Sequence, residues 1–516
     1  MIRAAPVRRQ EENLARGALV SRMNHKKQTI MGVAWSFVST SGEQAVTFLV
    51  LVVLARLLTP EEFGIVALAS LFVLVLQGIM KNSFNQALAQ RRDAEAEHFD
   101  ASFWIAIAIG LGGSAILIFS ASAIARLFQT QVIEELIPWL CVVLVLASLE
   151  TVQESWLMRN LQFRPLAIAG VTAAACGGVV AMAFAFLGHG VWSLVAHQIT
   201  SAAVGLVIVW WCCDWKPRPI FSRRHAKDVL SFGRFIMGNN VIVLLTTRAD
   251  AAVVGFFLGP AALGLYNVGQ RFLQMLVNTI LGSLVRVFLP TFSRIWESDP
   301  EQFPATFSTT LSLTSLVTFP TFLGLACVAD DAVVVLLGQS WAEAAPVVAI
   351  LALSGAVLSI SWINATAIVA LGKPDWQLLL TVIGGCTRVA AFLVAVQWGI
   401  VAVAAAFSIV ACFLAPMYGW MVLRLTPIDL ATYLRSLTAT FAASIVMAAV
   451  ILVSRNLVDG ALIPIASLSI HVAIGAISYC SAILVFSPRL AKKALEVASD
   501  VLSHRRTTEE TSGHYG

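Results

Sequence analysis

Charge is what this sequence has least of. Only 12% of its 516 residues are Asp, Glu, Lys or Arg, about half the roughly 25% of ordinary soluble domains. By contrast 58% are hydrophobic, and the mean hydropathy is +0.83. Apolar runs of about 20 residues, enough to cross a bilayer, recur from Ile30 to Phe486. A soluble globular protein is excluded. Long polar stretches are missing too, so no soluble catalytic domain hangs from a single anchor. Short alternating segments, the mark of an outer-membrane barrel, are absent, and continuous apolar runs mean helices. The eight cysteines form no CxxC and no cluster with histidine, and they read as small packing residues. A G-x-x-x-x-G-K-[ST] loop is lacking; Gly372-Lys373-Pro374 has neither the preceding glycine nor the following hydroxyl. Nothing calls for ATP hydrolysis, a cofactor, a metal or nucleic acid.

What is present is an all-α integral membrane protein of about fourteen spans. Six are expected near 31–58, 64–82, 101–123, 136–158, 166–187 and 191–213, and six more near 229–258, 263–289, 304–328, 345–371, 376–397 and 400–424. Two extra spans lie near 433–453 and 463–486. The chain thus divides into a basic tail at 1–29, an N-lobe at 30–213, a basic linker at 214–228, a C-lobe at 229–425, the extra pair at 426–487 and a tail at 488–516. The apolar run after the first tail is longer than the roughly 7–15 residues of a cleavable signal, so that tail is read as retained. Alternate connections support the count. One side collects Lys81, Arg91, Arg92, Arg159, Arg164 and the basic linker, and the other Glu61, Glu62, Glu134, Glu135, Asp330 and Asp331. By the positive-inside rule both termini are cytoplasmic.

The two sets of six are repeats. A shift of 200 sets Leu58-Thr59-Pro60 and Phe63-Gly64-Ile65 on Leu258-Gly259-Pro260 and Leu263-Gly264-Leu265, a shift of 204 sets Glu97–Phe103 on Glu301–Phe307, and a shift of 209 sets Gly190-Val191 on Gly399-Ile400. An even number of helices per repeat makes the repeats parallel, an architecture in which transporters carry substrate at the repeat interface.

Polar residues inside spans are costly and face a cavity or a partner. Asn267, Arg271, Gln274 and Asn278 fall on one stripe about 60° wide, which Arg286 continues. An interhelical hydrogen-bond network would also produce such a stripe, but a full charge at Arg271 favours a cavity. The first span carries Ser36, Thr40, Glu43 and Thr47 on one face, and its repeat mate carries Asn239, Thr246 and Asp250; Arg248 points the opposite way. Arg248 and Asp250 line one cavity only if the helix breaks between them. Glu43 is a coupling site for protons or ions, or the partner of an arginine such as Arg248 or Arg388. Arg388, central in its span, joins Arg271, Arg248 and Arg56 as an expected anion-facing set, since guanidinium grips phosphate and carboxylate oxygens in pairs. Glu150 and Glu154 with Arg159 are expected on a solvated or salt-bridged face, His197 and His471 in packing. Trp139, Trp192, Trp341 and Trp398 on one side, and Trp210, Trp211, Trp215, Trp376 and Trp420 on the other, are expected in interfacial belts.

The run Leu54-Ala55-Arg56-Leu57-Leu58-Thr59-Pro60-Glu61-Glu62-Phe63-Gly64-Ile65-Val66-Ala67 resembles the first two helices of polysaccharide repeat-unit flippases, the Wzx-type branch of the MOP exporter superfamily. So do Arg248-Ala249-Asp250, Leu263-Gly264-Leu265-Tyr266-Asn267, Leu289-Pro290 with Ser293-Arg294, and Ala370-Leu371-Gly372-Lys373-Pro374. The resemblance runs from about Ile30 to Thr426. It implies a two-lobed protein of the bacterial inner membrane that moves undecaprenyl-diphosphate-linked oligosaccharides outward by alternating access. It implies lipid and the lipid-linked oligosaccharide as partners, with the polymerase and chain-length regulator of the same pathway beside them. For such a substrate the polar pattern of the spans offers Arg271, Arg388, Arg248, Arg56, Asn267, Gln274, Asn278 and Asn239 as the expected cavity residues, with Glu43 and Asp250 as candidate coupling groups for which the resemblance supplies no motif. A multidrug exporter of the superfamily would prefer acidic cavities, and a membrane polymerase or ligase would need a long external loop. A scaffold of a synthesis complex is the remaining alternative.

Overall fold

The computed structural model of the chain describes residues 42–90, 95–219, 240, 243, 246–458, 463–493 and 496. Among them there is no strand. The helices are α1 (42–57), α2 (Pro60–Gln90), α3 (Ala96–Leu127), α4 (Val132–Arg159), α5 (Phe163–Phe186), α6 (Val191–Cys212), α7 (Ala249–Ser298), α8 (Phe303–Cys327), α9 (Ala329–Leu337), α10 (Ala345–Ala370), α11 (Pro374–Ala395), α12 (Ile400–Leu425), α13 (Leu430–Val458) and α14 (Pro464–Phe486). Twelve of the described helices are long and apolar enough to cross a membrane. The expected span at 31–58 is described only from 42, and most of 229–258 before 246 lies outside the described residues.

The chain divides into two compact units: Met1–Leu58 with Ile65–Arg248, and Thr59–Gly64 with Ala249–Gly516. In the first, α3 and α4 run antiparallel in close contact. Phe99 meets Trp156 edge-on with centroids 4.9 Å apart, and the Ser114 hydroxyl donates to the Cys141 carbonyl at 3.4 Å. Small residues permit this approach, as they do between membrane helices generally: a Cβ on Gly110 would stand 2.6 Å from that of Ser148. Helices α5 and α6 pack the same way, the Ser201 hydroxyl donating to the Ala173 carbonyl at 3.1 Å.

In the second unit α10 is central, packed on α7, α8 and α12. Helices α13 and α14 lie against α8: the Thr440 hydroxyl donates to Ser315 at 2.9 Å and the Tyr479 hydroxyl to the Leu316 carbonyl at 2.8 Å. The Thr440 hydroxyl supplies its link at modest cost because it also bonds the Leu437 carbonyl of its own helix. Helix α7 is two arms broken at Gly259, whose φ of 85° places it where glycine is favoured, and Pro260 opens the second arm. The expected connection between spans ending at 258 and beginning at 263 is therefore shorter than the hydropathy suggests.

Two tryptophans depart from the interfacial belts. Trp341 is fully buried, its ring 5.2 Å from that of Phe63, within the second unit. Trp215 is buried in the first, stacked 6.0 Å from Trp156. Both sit in segments that fold back on helix ends, where aromatic surface gains more from protein contact than from the interface.

Candidate functional site

The first unit gathers charge around one lysine. Lys81, late in α2, lies 3.1 Å from the carboxylates of both Glu150 and Glu154 on α4, all three largely withdrawn from solvent. The span expected near 64–82 already holds Lys81 at its end, and the helix continues to Gln90, so this lysine is not a loop charge. That corrects the expectation for Glu150 and Glu154: their partner is Lys81 rather than Arg159, whose guanidinium donates to the Leu88 carbonyl at 2.9 Å and lies over the Phe99 ring. Glu43 on α1 has Lys81, Glu150 and Glu154 as its charged neighbours, not an arginine. Two glycines make room. A Cβ on Gly170 of α5 would stand 2.7 Å from Glu43 Oε2, and one on Gly205 of α6 3.2 Å from Glu150 Oε1. Arg56, also in this unit, is exposed near the end of α1.

The second unit holds a buried carboxylate satisfied by neutral donors. The Asp250 Oδ2 accepts from the Tyr266 hydroxyl and from Gln270 Nε2, each at 3.1 Å, and Gln270 Nε2 also donates to Tyr266 at 2.9 Å. Both partners lie on the arm of α7 beyond Gly259, so the network clasps the two arms together. The chain bends at Arg248, between helical Thr247 and Ala249, which supplies the break that Arg248 and Asp250 required. Arg248 is exposed and Asp250 buried, so the two do not share an environment.

The polar stripe on α7 faces outward from its unit. Arg271 and Gln274 are exposed and Asn267 and Asn278 half-buried, while Tyr266, Gln270 and Phe272 turn inward. Asn239 lies outside the described residues, as does the side chain of Arg286. Arg388 on α11 is half-buried. Its guanidinium lies 5.3 Å from the centroid of the Phe407 ring on α12, its Nε is buried without a hydrogen-bond partner, and no hydrogen bond or ion pair joins it to any described residue. Tyr418, Asp250 and Tyr266 are its polar surroundings. A guanidinium is a planar fork suited to oxyanion acceptors, and among the described residues none is paired with it.

Sequence reasoning missed Lys81, Tyr266 and Gln270. Lys81 was absorbed into the positive-inside pattern; Tyr266 and Gln270 were legible as buried mates of Asp250 only once Gly259 and Pro260 are read as a tight turn. Among the described residues no group of His, Cys, Asp and Glu could hold a metal.

The fold is that of the helical transporters that include a lipid II flippase and multidrug exporters. A structure described as "Lipid II flippase MurJ, inward closed conformation" superposes with a TM-score of 0.74 at 16% identity, covering 90% of this chain and 100% of that one. An inward-facing multidrug resistance MATE family transporter of the MOP superfamily superposes with a TM-score of 0.57 at 15% identity, over 76% of this chain and 94% of that one. At such identities the likeness shows the fold alone. The chain belongs to the family described as "Polysaccharide biosynthesis protein", whose pattern matches residues 53–346. Curated relatives include the succinoglycan biosynthesis transport protein ExoT of Rhizobium meliloti, 28% identical across 92% of this chain and 96% of its own length. The teichuronic acid biosynthesis protein TuaB of Bacillus subtilis is 24% identical across 91% and 98%, and the lipopolysaccharide biosynthesis protein WzxC of Escherichia coli 21% across 66% and 69%.

Proposed function

We propose that the chain is a flippase that carries undecaprenyl-diphosphate-linked oligosaccharides from the cytoplasmic to the outer leaflet of the bacterial inner membrane by alternating access. It is a transporter rather than an enzyme, with both termini cytoplasmic and fourteen spans, those near 31–58 and 229–258 making up the number. The observation that carries this reading is Arg388: a cation inside a spanning helix, backed by an aromatic ring and paired with no acceptor among the described residues. A guanidinium so placed suits a substrate that brings its own oxyanions. The relatives' names agree, since one is a biosynthetic transport protein and others belong to polysaccharide biosynthesis. Arg271, Arg56 and Arg248 expose further guanidiniums, and Asn267, Gln274 and Asn278 supply neutral donors and acceptors for sugar hydroxyls.

Glu43 and Asp250 are the coupling candidates. The first unit sets three carboxylates against one ammonium, and excess negative charge in a bilayer invites a proton or cation. The polymerase and chain-length regulator of the pathway are the expected neighbours in the membrane. The test is depletion of the protein in its host with lipid-linked oligosaccharides analysed by leaflet. Complete units accumulating on the cytoplasmic face, with surface polysaccharide lost, is the expected result. Complete units reaching the outer face and staying unpolymerised would defeat the transport reading.

A further inference from the structure

The chain leaving α6 does not run free into the basic linker. At Cys213 the backbone turns extended, with φ −86° and ψ 119°, and the residues that follow, 214–219, lie against the ends of α3 and α4 within the first unit. Trp215 is buried there, its ring 6.0 Å from those of Phe99 and Trp156 and 6.3 Å from that of Phe103. Further on, the Arg218 amide donates to Asp100 Oδ1 at 3.0 Å, and the Arg218 carbonyl accepts from Trp104 Nε1 at 3.0 Å. Asp100 is itself buried. Pro217 and Pro219 fix φ on either side of Arg218. A carboxylate, an indole and a ring stack thus hold six residues of backbone as a strap.

With Trp215 turned inward, Asp214, Lys216 and Arg218 are exposed, as alternate residues of an extended segment can be. Lys216 Nζ donates to the Trp210 carbonyl near the end of α6 and lies 5.4 Å from the centroid of the Trp210 ring, which leaves the ammonium two further donors. The Arg218 guanidinium has no hydrogen bond or ion pair among the described residues. Two residues apart on an extended backbone, the Cα atoms of Lys216 and Arg218 are about 7 Å from each other, close enough for both heads to meet on one phosphate. Trp104, bonded to the strap, and Trp211, in the last turn of α6, are both exposed. Tryptophan at the ends of spanning helices marks the depth of the lipid headgroups. Of the two carboxylates nearby, Asp100 is committed to the Arg218 amide, and Asp214 is exposed beside the cations.

We propose that Lys216 and Arg218 on this strap form a binding site for the phosphate of an anionic phospholipid. A guanidinium takes phosphate oxygens in pairs and an ammonium adds a point charge. The clamp holds the backbone that carries both cations before the lipid arrives, so little ordering is lost on binding. Selection among headgroups follows from charge: two cations against one exposed carboxylate leave a net positive face, which favours a net negative headgroup over a zwitterionic one. The exposed indoles put the site at headgroup depth, where the phosphate on offer belongs to lipid rather than to the bulk solution. The site is built from the start of the basic linker, which the transport reading leaves unassigned, and it stands whether or not the chain flips a substrate. Occupied, it ties the first residues of the linker to the membrane surface.

The test titrates phosphatidylglycerol into the purified full chain in uncharged detergent and counts bound lipid by native mass spectrometry, with phosphatidylcholine and inorganic phosphate as the other arms. Phosphatidylglycerol is expected to bind more tightly than phosphatidylcholine, and inorganic phosphate in excess to displace neither. Lys216→Gln with Arg218→Gln, both at exposed positions and checked for folding by melting, should weaken phosphatidylglycerol binding about ten-fold and leave phosphatidylcholine binding unchanged. Asp214→Asn should strengthen it. Trp104→Phe keeps both cations but releases the Arg218 carbonyl, and should weaken it about three-fold. Phosphatidylglycerol affinity unchanged in the double variant overturns the proposal. So does phosphatidylcholine affinity that falls in parallel, or free phosphate that displaces the lipid. If the double variant fails to fold, Asp214→Asn decides, and the absence of any gain in affinity overturns the proposal.

Discussion

The two repeats share their punctuation and differ in their charge. At the shift of 200, Glu43 stands on Val243, Asp250 on Val50 and Arg271 on Leu71, so each of these three charges has an apolar mate in the other repeat. In the first unit Lys81 is committed to two carboxylates with a third nearby. In the second, Asp250 is satisfied by a tyrosine and a glutamine, and Arg388 has an aromatic ring beside it and no acceptor among the described residues. One scaffold has been given two electrostatic tasks: a self-contained ion-pair network on one side and an unspent cation on the other. Backbone punctuation serves the fold and is kept in both copies, whereas charge serves the task and diverges.

The contrast predicts that the two cations fail differently. Lys81→Ala leaves two sheltered carboxylates without their counter-ion, and losing one member of a buried pair costs about 3–5 kcal/mol; partial exposure here reduces that to roughly 2 kcal/mol. A large fall in melting temperature is expected, with most of it recovered when Glu150→Gln and Glu154→Gln are added. If the triple variant melts no higher than Lys81→Ala, the network is not what Lys81 supports. Arg388→Ala, by contrast, gives up the contact with the Phe407 ring but no hydrogen bond or ion pair among the described residues. Its melting temperature should stay near the parent's while the apparent affinity for lipid-linked oligosaccharide weakens about ten-fold, as titrated in reconstituted vesicles. Destabilisation without a change in affinity would place Arg388 in packing instead.

Smaller effects sharpen the picture of the second unit. Tyr266→Phe removes one donor to a buried carboxylate and should cost about 1 kcal/mol, measured by chemical denaturation in detergent. An unchanged midpoint would mean that Asp250 does not depend on it. The smallest effect is at the start of α13, where the Thr432 hydroxyl holds the exposed Asp429 carboxyl below the usual range. A carboxyl whose pKa is lower in the folded state adds stability at neutral pH that disappears as pH falls through that lowered value. Asp429→Asn should therefore flatten slightly the acid side of the melting profile, and a profile superposable on the parent's would remove Asp429 from the account.

Much of the fold was legible because bilayer crossing leaves a coarse signal: apolar length marked helices. The repeat was legible through Pro60, Gly64, Pro260 and Gly264, residues whose backbone demands survive divergence. What was not legible depends on neighbours distant in sequence. Lys81, at the end of the span expected near 64–82, was counted only toward the charge asymmetry of the connections, because a hydropathy window cannot show its pairing with Glu150 and Glu154 on α4. Trp341 looked interfacial because position along a span says nothing about a loop folding back on the helices. For the site, the stripe on α7 was legible as one helical face, since helical period alone determines it. Its companions Tyr266 and Gln270 became visible only from the tight turn that brings Asp250 across from them.

The most direct measurement is flipping by the purified chain in sealed vesicles, with a diphosphate-linked oligosaccharide labelled in its sugar and its outer-leaflet share followed by accessibility to an added enzyme. The account predicts that the parent moves the labelled head group across the bilayer and that Arg388→Ala, folded and inserted equally well, moves it about ten-fold more slowly at limiting substrate. A parent chain that leaves the label on its original side, or an Arg388→Ala chain that matches the parent, would contradict it.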